Sequence, residues 1–140
     1  MKKQTSHTSN KNSNFKSTKA SQKHSISPVS YVHVNASTNN TIVSLSDTKG
    51  KVKLWSSSGK MAFKGSKRST GYAAQAAASD LASRAYQEGY HKIVVFLKGF
   101  GSGRTNALKG LALGGLTIEA IIDLTSFPHN GCRSPKPRRL

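Results

Sequence analysis

The sequence predicts a single α/β domain whose mixed β-sheet is flanked by a basic tail at each end. Three observations predict this fold: three short segments with alternating apolar residues, an alanine-rich helical stripe, and an uninterrupted apolar run between two lysines. A chain of 140 residues has the usual size of one domain. We expect residues 1–28 to form a disordered basic arm, residues 29–126 the α/β domain, and residues 127–140 a basic tail.

The first three strands are predicted from apolar residues at alternate positions. These residues are Val32, Val34 and Ala36, then Val43 and Leu45, then Val52 and Leu54. Asn39 and Asn40 tolerate positive φ and fit a hairpin between the first two strands, and residues 47–50 supply the turn before the third. The three strands are therefore expected to form an antiparallel meander.

The first helix is expected to run from Tyr72 to Glu88, with Ser69 or Thr70 as its cap and Gly89 just after its end. Small side chains on one face would let this helix lie close to a sheet. The apolar stripe consists of Ala74, Ala77, Ala78, Leu81, Ala82 and Ala85.

The fourth strand is apolar throughout, from Ile93 to Leu97, which is typical of a central parallel strand buried on both faces. A second helix is expected over residues 104–113 and a last strand over residues 117–125. That last strand would place Ile118, Ala120, Ile122 and Leu124 on one face. The predicted order is strand, strand, strand, helix, strand, helix, strand, and right-handed crossovers would place the helices against the mixed sheet.

The charge balance predicts a polyanionic partner. Lys and Arg number 22 against five Asp and Glu, so the formal net charge is +17. Nucleic acid is the leading partner and an acidic membrane the second, although no apolar run approaches the ~20 residues that span a bilayer. The arm, with six lysines and no acid in residues 1–27, has too few apolar side chains to fold alone. A cleaved organellar leader is the weaker interpretation of it, because it has no arginine.

The scarcity of carboxylates disfavours an acid-based active site. The single cysteine, Cys132, permits neither an intrachain disulfide nor a cysteine-rich zinc site, so we expect a reduced, intracellular protein. His129 and Cys132 lie in a proline-bounded segment without acids, where the turn dipeptide Asn130-Gly131 is a simpler explanation than a nucleophile with its base. We therefore expect no catalytic residue, no metal and no cofactor. We also expect no membrane contact and no homo-oligomer.

A glycine loop, Gly99-Phe100-Gly101-Ser102-Gly103, joins the fourth strand to the second helix, where backbone amides can bind phosphate. A dinucleotide fingerprint would need glycine in place of Arg104, and Glu119 lies too near the start of the next strand. Lys98 and Arg104, on either side of the loop, suit a phosphodiester backbone better. A tight connection that needs glycine only for its turn carries equal weight.

The loop at residues 59–68 is predicted to be an exposed basic surface. It holds Lys60, Lys64, Lys67 and Arg68, and no acid lies between Asp47 and Asp80 to neutralise them. The loop also carries Phe63. That ring could stack on a base, but anchoring the loop is the commoner role of a lone aromatic.

Five motifs occur in a familiar order: residues 35–43 (NASTNNTIV), 63–68 (FKGSKR), 73–75 (AAQ), 99–103 (GFGSG) and 128–133 (PHNGCR). This series resembles the universal S-eleven family of small-subunit ribosomal proteins over roughly residues 29–140. Phe100 stands where the family usually has proline, and Ser134 and Pro137 interrupt the usual run of the tail.

The resemblance implies a ribonuclease H-like fold on the platform of the small ribosomal subunit, near the messenger exit cleft. It implies that the protein binds and bridges ribosomal RNA helices in support of translation, beside the seventh and eighteenth small-subunit proteins and with messenger RNA nearby. The implied RNA contacts are Lys64, Lys67, Arg68, Gly99, Gly101, Gly103, Arg104, His129, Asn130, Arg133, Lys136, Arg138 and Arg139. The catalytic acid that ribonuclease H enzymes carry on their first strand is missing from residues 30–36, which disfavours a nuclease.

The sequence therefore favours a structural RNA-binding protein of the small subunit. The alternative is a small nucleotide-dependent enzyme that uses the loop from Gly99 to Gly103. The composition of the arm and the divergent glycine loop favour a mitochondrial ribosome over a bacterial or plastid one.

Overall fold

The computed structural model describes residues 29–133 and 135–136. The predicted arm and the last four residues, including Arg138 and Arg139, lie outside the described residues. The strands that the described residues form are β1 (Ser30–Ala36), β2 (Thr41–Ser46), β3 (Val52–Ser57), β4 (Lys92–Lys98) and β5 (Thr117–Asp123). Their helices are α1 (Gly71–Gln87) and α2 (Gly103–Leu113), with a 3₁₀ turn (Gly65–Ser69) just before α1. The predicted α/β fold class and order of strands and α-helices are confirmed.

The strands form one mixed sheet in the order β3-β2-β1-β4-β5. β2 is antiparallel to both β1 and β3, whereas β4 is parallel to β1 and β5. Both helical connections, β3-α1-β4 and β4-α2-β5, therefore cross the sheet in the same direction. Because such crossovers are right-handed, both helices lie on the same face, and no described helix covers the other face.

Helix α1 is capped by a threonine, and the two helices pack together through small residues. Thr70 Oγ1 accepts a hydrogen bond from the Ala73 amide at 3.3 Å, so Thr70 is the cap of α1, and Gly89 follows the helix with a φ of +93°. All six residues of the predicted apolar stripe are fully buried. A Cβ at Gly110 would lie 2.8 Å from the Cβ of Ala78, so a side chain there would push α2 away from α1. Neither α-helix of the described chain is long and apolar enough to cross a membrane.

The prediction that β4 is buried on both faces is wrong. Ile93 and Val95 are fully buried beneath the helices, but Val94 and Phe96 on the opposite face are only half-buried. The two crossovers leave that face open, so an apolar residue at every position of β4 does not mean that both faces are covered. The Phe96 ring instead stacks on His33 and tilts against Tyr31, with ring centroids 5.1 and 5.4 Å away.

The single apolar face predicted for the last strand is also wrong. The register shifts between β4 and β5, so that Ile118 pairs with buried Ile93 while Ala120 pairs with Val94 of the open face. Glu119 is the extra residue of this bulge, and it reverses the alternation that follows. The predicted Ile122 lies on the open face beside Phe96, and Leu124 lies beyond the end of the strand.

Two expectations for the antiparallel strands are only partly met. Leu54 packs against the core, but Val52 is 54% exposed, because it begins an edge strand where the register shifts between Leu45 and Ser46. The expected hairpin between β1 and β2 forms, but neither Asn39 nor Asn40 adopts the positive φ that asparagine tolerates. The side chain of Ser37 closes this turn instead, by donating to the Asn40 carbonyl at 2.9 Å and accepting from its amide at 3.1 Å.

Candidate nucleic-acid interface

The loops that carry the predicted contacts meet at one end of the sheet. Because β1, β3, β4 and β5 run in the same direction, their carboxyl ends share this end of the molecule, which we call the carboxyl end. The Gly101 amide donates to the Ala36 carbonyl at 2.9 Å, joining the glycine loop to β1. The Ser102 hydroxyl donates to the Ser69 carbonyl at 2.7 Å, joining the same loop to the basic 3₁₀ turn.

The glycines of the loop are required by packing. A Cβ at Gly99 would overlap the Ala36 carbonyl oxygen, and one at Gly101 would overlap that of Ser37. Gly99 also has a φ of +95°, a conformation that glycine adopts at little cost. The Gly99 amide donates to Thr125 Oγ1 at 3.2 Å, so two amides of the loop are hydrogen-bonded within the protein. These contacts favour the tight-connection interpretation over a phosphate cradle that uses those two amides.

Arg104 ties the glycine loop to the segment that follows β5. Its guanidinium donates to the Gly99 carbonyl at 2.7 Å and to the carboxylate of Asp123. Thr125 donates to the other oxygen of that carboxylate from its hydroxyl at 2.6 Å and its amide at 2.9 Å. Hydrogen bonds from the Thr125 side chain and then Arg104 lower the pKa of Asp123 to about 2. Arg104, predicted to contact phosphate, is thus half-buried in a network that positions two loops.

The cations at the basic 3₁₀ turn are all exposed but differ in whether they hydrogen-bond within the protein. Lys64 and Lys67 are exposed, and no hydrogen bond from either side chain is present in the described residues. Arg68 is also exposed, but its Nε donates to the Phe63 carbonyl at 2.9 Å. The Phe63 ring packs edge-on against Tyr72 with centroids 5.9 Å apart, so Phe63 anchors the turn to the first turn of α1.

The tail turns sharply after β5. Asn130 has a φ of +55°, in keeping with the bend predicted at Asn130-Gly131. The predicted contacts His129, Arg133 and Lys136 are exposed, as is Cys132.

An exposed aromatic pair at the carboxyl end was missed by the sequence reasoning. The rings of Phe100, in the glycine loop, and Phe127, in the tail, lie 5.6 Å apart and are inclined at 56°. The side chains are 67% and 65% exposed. The signal that could have found them is their position, since each is a large apolar residue between glycines or beside proline in a predicted loop.

Acidic groups are neutralised or lie away from the carboxyl end. Asp47 pairs with Lys53 at 3.1 Å and Glu119 with Lys92 at 3.4 Å, both at the opposite end of the sheet. Asp123, at the carboxyl end, is paired with Arg104. The carboxyl end is therefore strongly cationic, and its chemistry suits the binding of a polyanion. No group of three potential metal ligands occurs in the described part of the chain.

Comparison with known protein families shows to which family the chain belongs. A family model described as Ribosomal protein S11 matches residues 30–139. The chain belongs to the ribosomal protein S11 family. The resemblance predicted from the five sequence motifs is thereby confirmed, and the matched range spans the whole sheet, both helices and most of the tail.

Individual members of the S11 family are similar along most of the chain. A "Small ribosomal subunit protein uS11" from Christiangramia forsetii is 51% identical over 108 residues, which cover 77% of this chain and 81% of the relative. One from Flavobacterium johnsoniae is 49% identical, with coverages of 77% and 85%. One from Parabacteroides distasonis is 46% identical over 127 residues, with coverages of 89% and 98%. These S11 relatives are bacterial and lend no support to the mitochondrial preference drawn from the sequence.

Proposed function

We propose that this chain is a structural constituent of the small ribosomal subunit that binds and bridges ribosomal RNA helices in support of translation. The observation that carries the proposal is the convergence of the basic 3₁₀ turn, the glycine loop and the base of the tail at the carboxyl end. Hydrogen bonds from Ser102 to Ser69 and from Gly99 to Thr125 join these three segments. The family and its small-subunit relatives support the same role.

The geometry of the described residues supports a different role in RNA binding for each group of predicted contacts. Exposed Lys64, Lys67 and Lys98 are compact charges suited to phosphate oxygens. Gly99, Gly101, Gly103 and Arg104 hold the loop in shape, so their contribution to RNA binding is largely to position the surface. Arg133 and Lys136 are exposed cations of the tail, and the sequence adds Arg138 and Arg139. The exposed side chains of His129 and Asn130 add hydrogen-bonding groups to the same segment. Shape and phosphate contacts should outweigh base reading.

The proposed site of assembly is the platform of the small subunit, near the messenger exit cleft. The neighbours would be small-subunit RNA and proteins of the seventh and eighteenth families. The bacterial relatives favour a bacterial ribosome over the mitochondrial one expected from the composition of the arm.

The alternative, a nucleotide-dependent enzyme that uses the glycine loop, receives less support. The amides of Gly99 and Gly101 donate to Thr125 and Ala36, so they are occupied within the protein. The carboxylate nearest the loop, Asp123, is held by Arg104 and Thr125. We therefore propose that the protein has a structural rather than an enzymatic role.

Filter binding of the full chain to a small-subunit RNA transcript tests the proposal. The logarithm of affinity should fall linearly with the logarithm of salt concentration, with a loss of about 1,000-fold or more between 50 and 200 mM if six or more phosphates are contacted. A matched transcript of unrelated sequence measures the non-specific part. Affinity that barely changes with salt, or tight binding of labelled nucleotide without RNA binding, would overturn the proposal.

A further inference from the structure

The aromatic pair Phe100 and Phe127 is unusual because it is exposed yet held in a fixed position. Phe100 lies between Gly99 and Gly101, whose amides are both hydrogen-bonded to neighbouring segments. Phe127 follows Thr125, which is bonded to the Asp123 carboxylate through both its amide and its hydroxyl. The backbone is thus anchored on both sides of Phe100 and two residues before Phe127.

The pair does not serve the core. Two-thirds of each side chain is exposed, and neither residue belongs to the buried apolar cluster between helices and sheet. The rings touch each other in a tilted arrangement, with centroids 5.6 Å apart, which leaves most of both rings accessible. An apolar surface that is exposed and preorganised in this way favours a binding role.

The surrounding charge indicates what kind of partner would bind. Lys98 and His129, each two residues from one of the rings, are exposed. The carboxylate of Asp123 is neutralised by Arg104, and Glu119 lies at the other end of β5, paired with Lys92. The exposed cations would attract a polyanion here, and the neutralised carboxylate of Asp123 would do little to repel it. Aromatic rings among cations are the combination that binds unpaired bases of a single strand.

We propose that Phe100 and Phe127 form a stacking platform for an unpaired base of an RNA strand whose phosphates are held by the cations of the carboxyl end. This inference rests on the proposed function, since it assigns a base contact to the same RNA-binding surface. It predicts affinity that depends on the presence of bases as well as on phosphate charge.

The test compares two single-stranded RNA decamers of equal length, one with all its bases and one with abasic sites at its central positions. The full chain should bind the decamer with bases about tenfold more tightly, and Phe100→Ala or Phe127→Ala should abolish that preference. Phe100→Trp should keep it and Phe100→Leu should lose it, because leucine retains apolar area without a ring face. Tyr86→Ala, which removes an exposed aromatic from the far end of α1, is the matched control and should keep it.

The outcomes separate this inference from the proposed function. A chain that binds small-subunit RNA with a steep salt dependence but does not distinguish the two decamers overturns the platform alone. Retention of the preference in Phe100→Leu, or in both alanine variants, also overturns it, because the bases would then be contacted elsewhere on the chain. Failure of the wild-type chain to bind any RNA overturns both. Melting curves of the variants should match the wild type, because neither ring is part of the core.

Discussion

The guanidinium of Arg104 and the carboxylate of Asp123 join the first turn of α2 to the last residue of β5. The same guanidinium holds the Gly99 carbonyl, and the same carboxylate accepts twice from Thr125. One ion pair thus fixes both the glycine loop and the start of the tail, the two segments that carry Phe100 and Phe127. The geometry of the carboxyl end therefore depends on Asp123 remaining ionised.

Acid should loosen this network in a defined pH range. The folded pKa of Asp123 lies at about 2, below the value of ~3.9 usual for an unfolded chain. A lowered pKa means that ionisation favours the folded state, so this contribution is complete above about pH 4 and is lost as the pH falls through about 2. Melting temperatures measured from pH 7 to pH 2 should show Asp123→Asn less stable than wild type at neutral pH, with the difference shrinking below pH 4.

A second carboxylate variant serves as the control for that experiment. Glu119→Gln removes an exposed carboxylate that pairs with Lys92 at the other end of β5. Its melting temperature should lie close to that of the wild type throughout. A gap between Asp123→Asn and wild type that stays constant from pH 7 to pH 2 would show that the charge of Asp123 does not contribute.

Substitution at the glycine loop should destabilise the fold for steric reasons. In Gly101→Ala the new Cβ would overlap the backbone carbonyl of Ser37, which cannot rotate away as a side chain would. We expect a loss of about 1–3 kcal/mol in the free energy of unfolding by urea denaturation. Gly59→Ala is the matched control, because its Cβ would meet only the Arg68 side chain at 3.5 Å. Equal stabilities of the two variants would contradict the steric explanation.

The elements of the fold could be predicted from the sequence because each depends on local pattern. The alanine stripe of α1, the cap at Thr70 and the turn at Gly89 are all set by residues within a few positions of one another. The faces on which the side chains of the last strand lie could not be predicted correctly, because the bulge at Glu119 is defined by pairing with β4. The open face beside Phe96 likewise follows from the direction of both crossovers, which the composition of β4 does not reveal.

In the candidate site, too, the features set by local sequence could be predicted, whereas contacts between distant residues could not. The basic 3₁₀ turn and the tail were predicted as cationic segments, since a run of Lys and Arg without acids is visible in the sequence alone. The partnership of Arg104 with Asp123, 19 positions apart, was not predicted, because it depends on the start of α2 lying beside the end of β5. For the same reason Phe127 was not connected with Phe100.

The contact between α1 and β3 contains a charged pair whose removal should be costly. Asp80 accepts from the buried Ser56 hydroxyl at 2.8 Å and from Arg84 at 2.7 Å, and Arg84 also donates to the Trp55 carbonyl at 3.0 Å. Burial raises the pKa of Asp80, but the hydrogen bonds from Ser56 and Arg84 outweigh it and leave the pKa lowered. Asp80→Ala should therefore lower the free energy of unfolding by about 1–3 kcal/mol, because it leaves the Ser56 hydroxyl without its acceptor.

An exposed pair provides the comparison for Asp80. Lys92→Ala breaks the ion pair with Glu119, in which the Lys92 side chain is 62% exposed, and should cost at most about 0.5 kcal/mol in the same urea experiment. Arg84→Ala should fall between the two. A cost for Asp80→Ala as small as that for Lys92→Ala would show that the link from α1 to β3 adds little stability.

The basic 3₁₀ turn offers two neighbouring cations that should behave differently. The Lys67 side chain is exposed, so Lys67→Ala should leave the melting temperature unchanged and reduce the salt slope of RNA binding by about 0.7–0.9. Arg68 donates to the Phe63 carbonyl, so Arg68→Ala should reduce the slope and also lower the melting temperature by about 2–5 °C. Arg68→Lys separates the two effects, because it keeps the charge and therefore the slope but loses the geometry of the Nε donor. If Arg68→Lys instead melted like the wild type while Lys67→Ala melted lower, the roles assigned to these two side chains would be reversed.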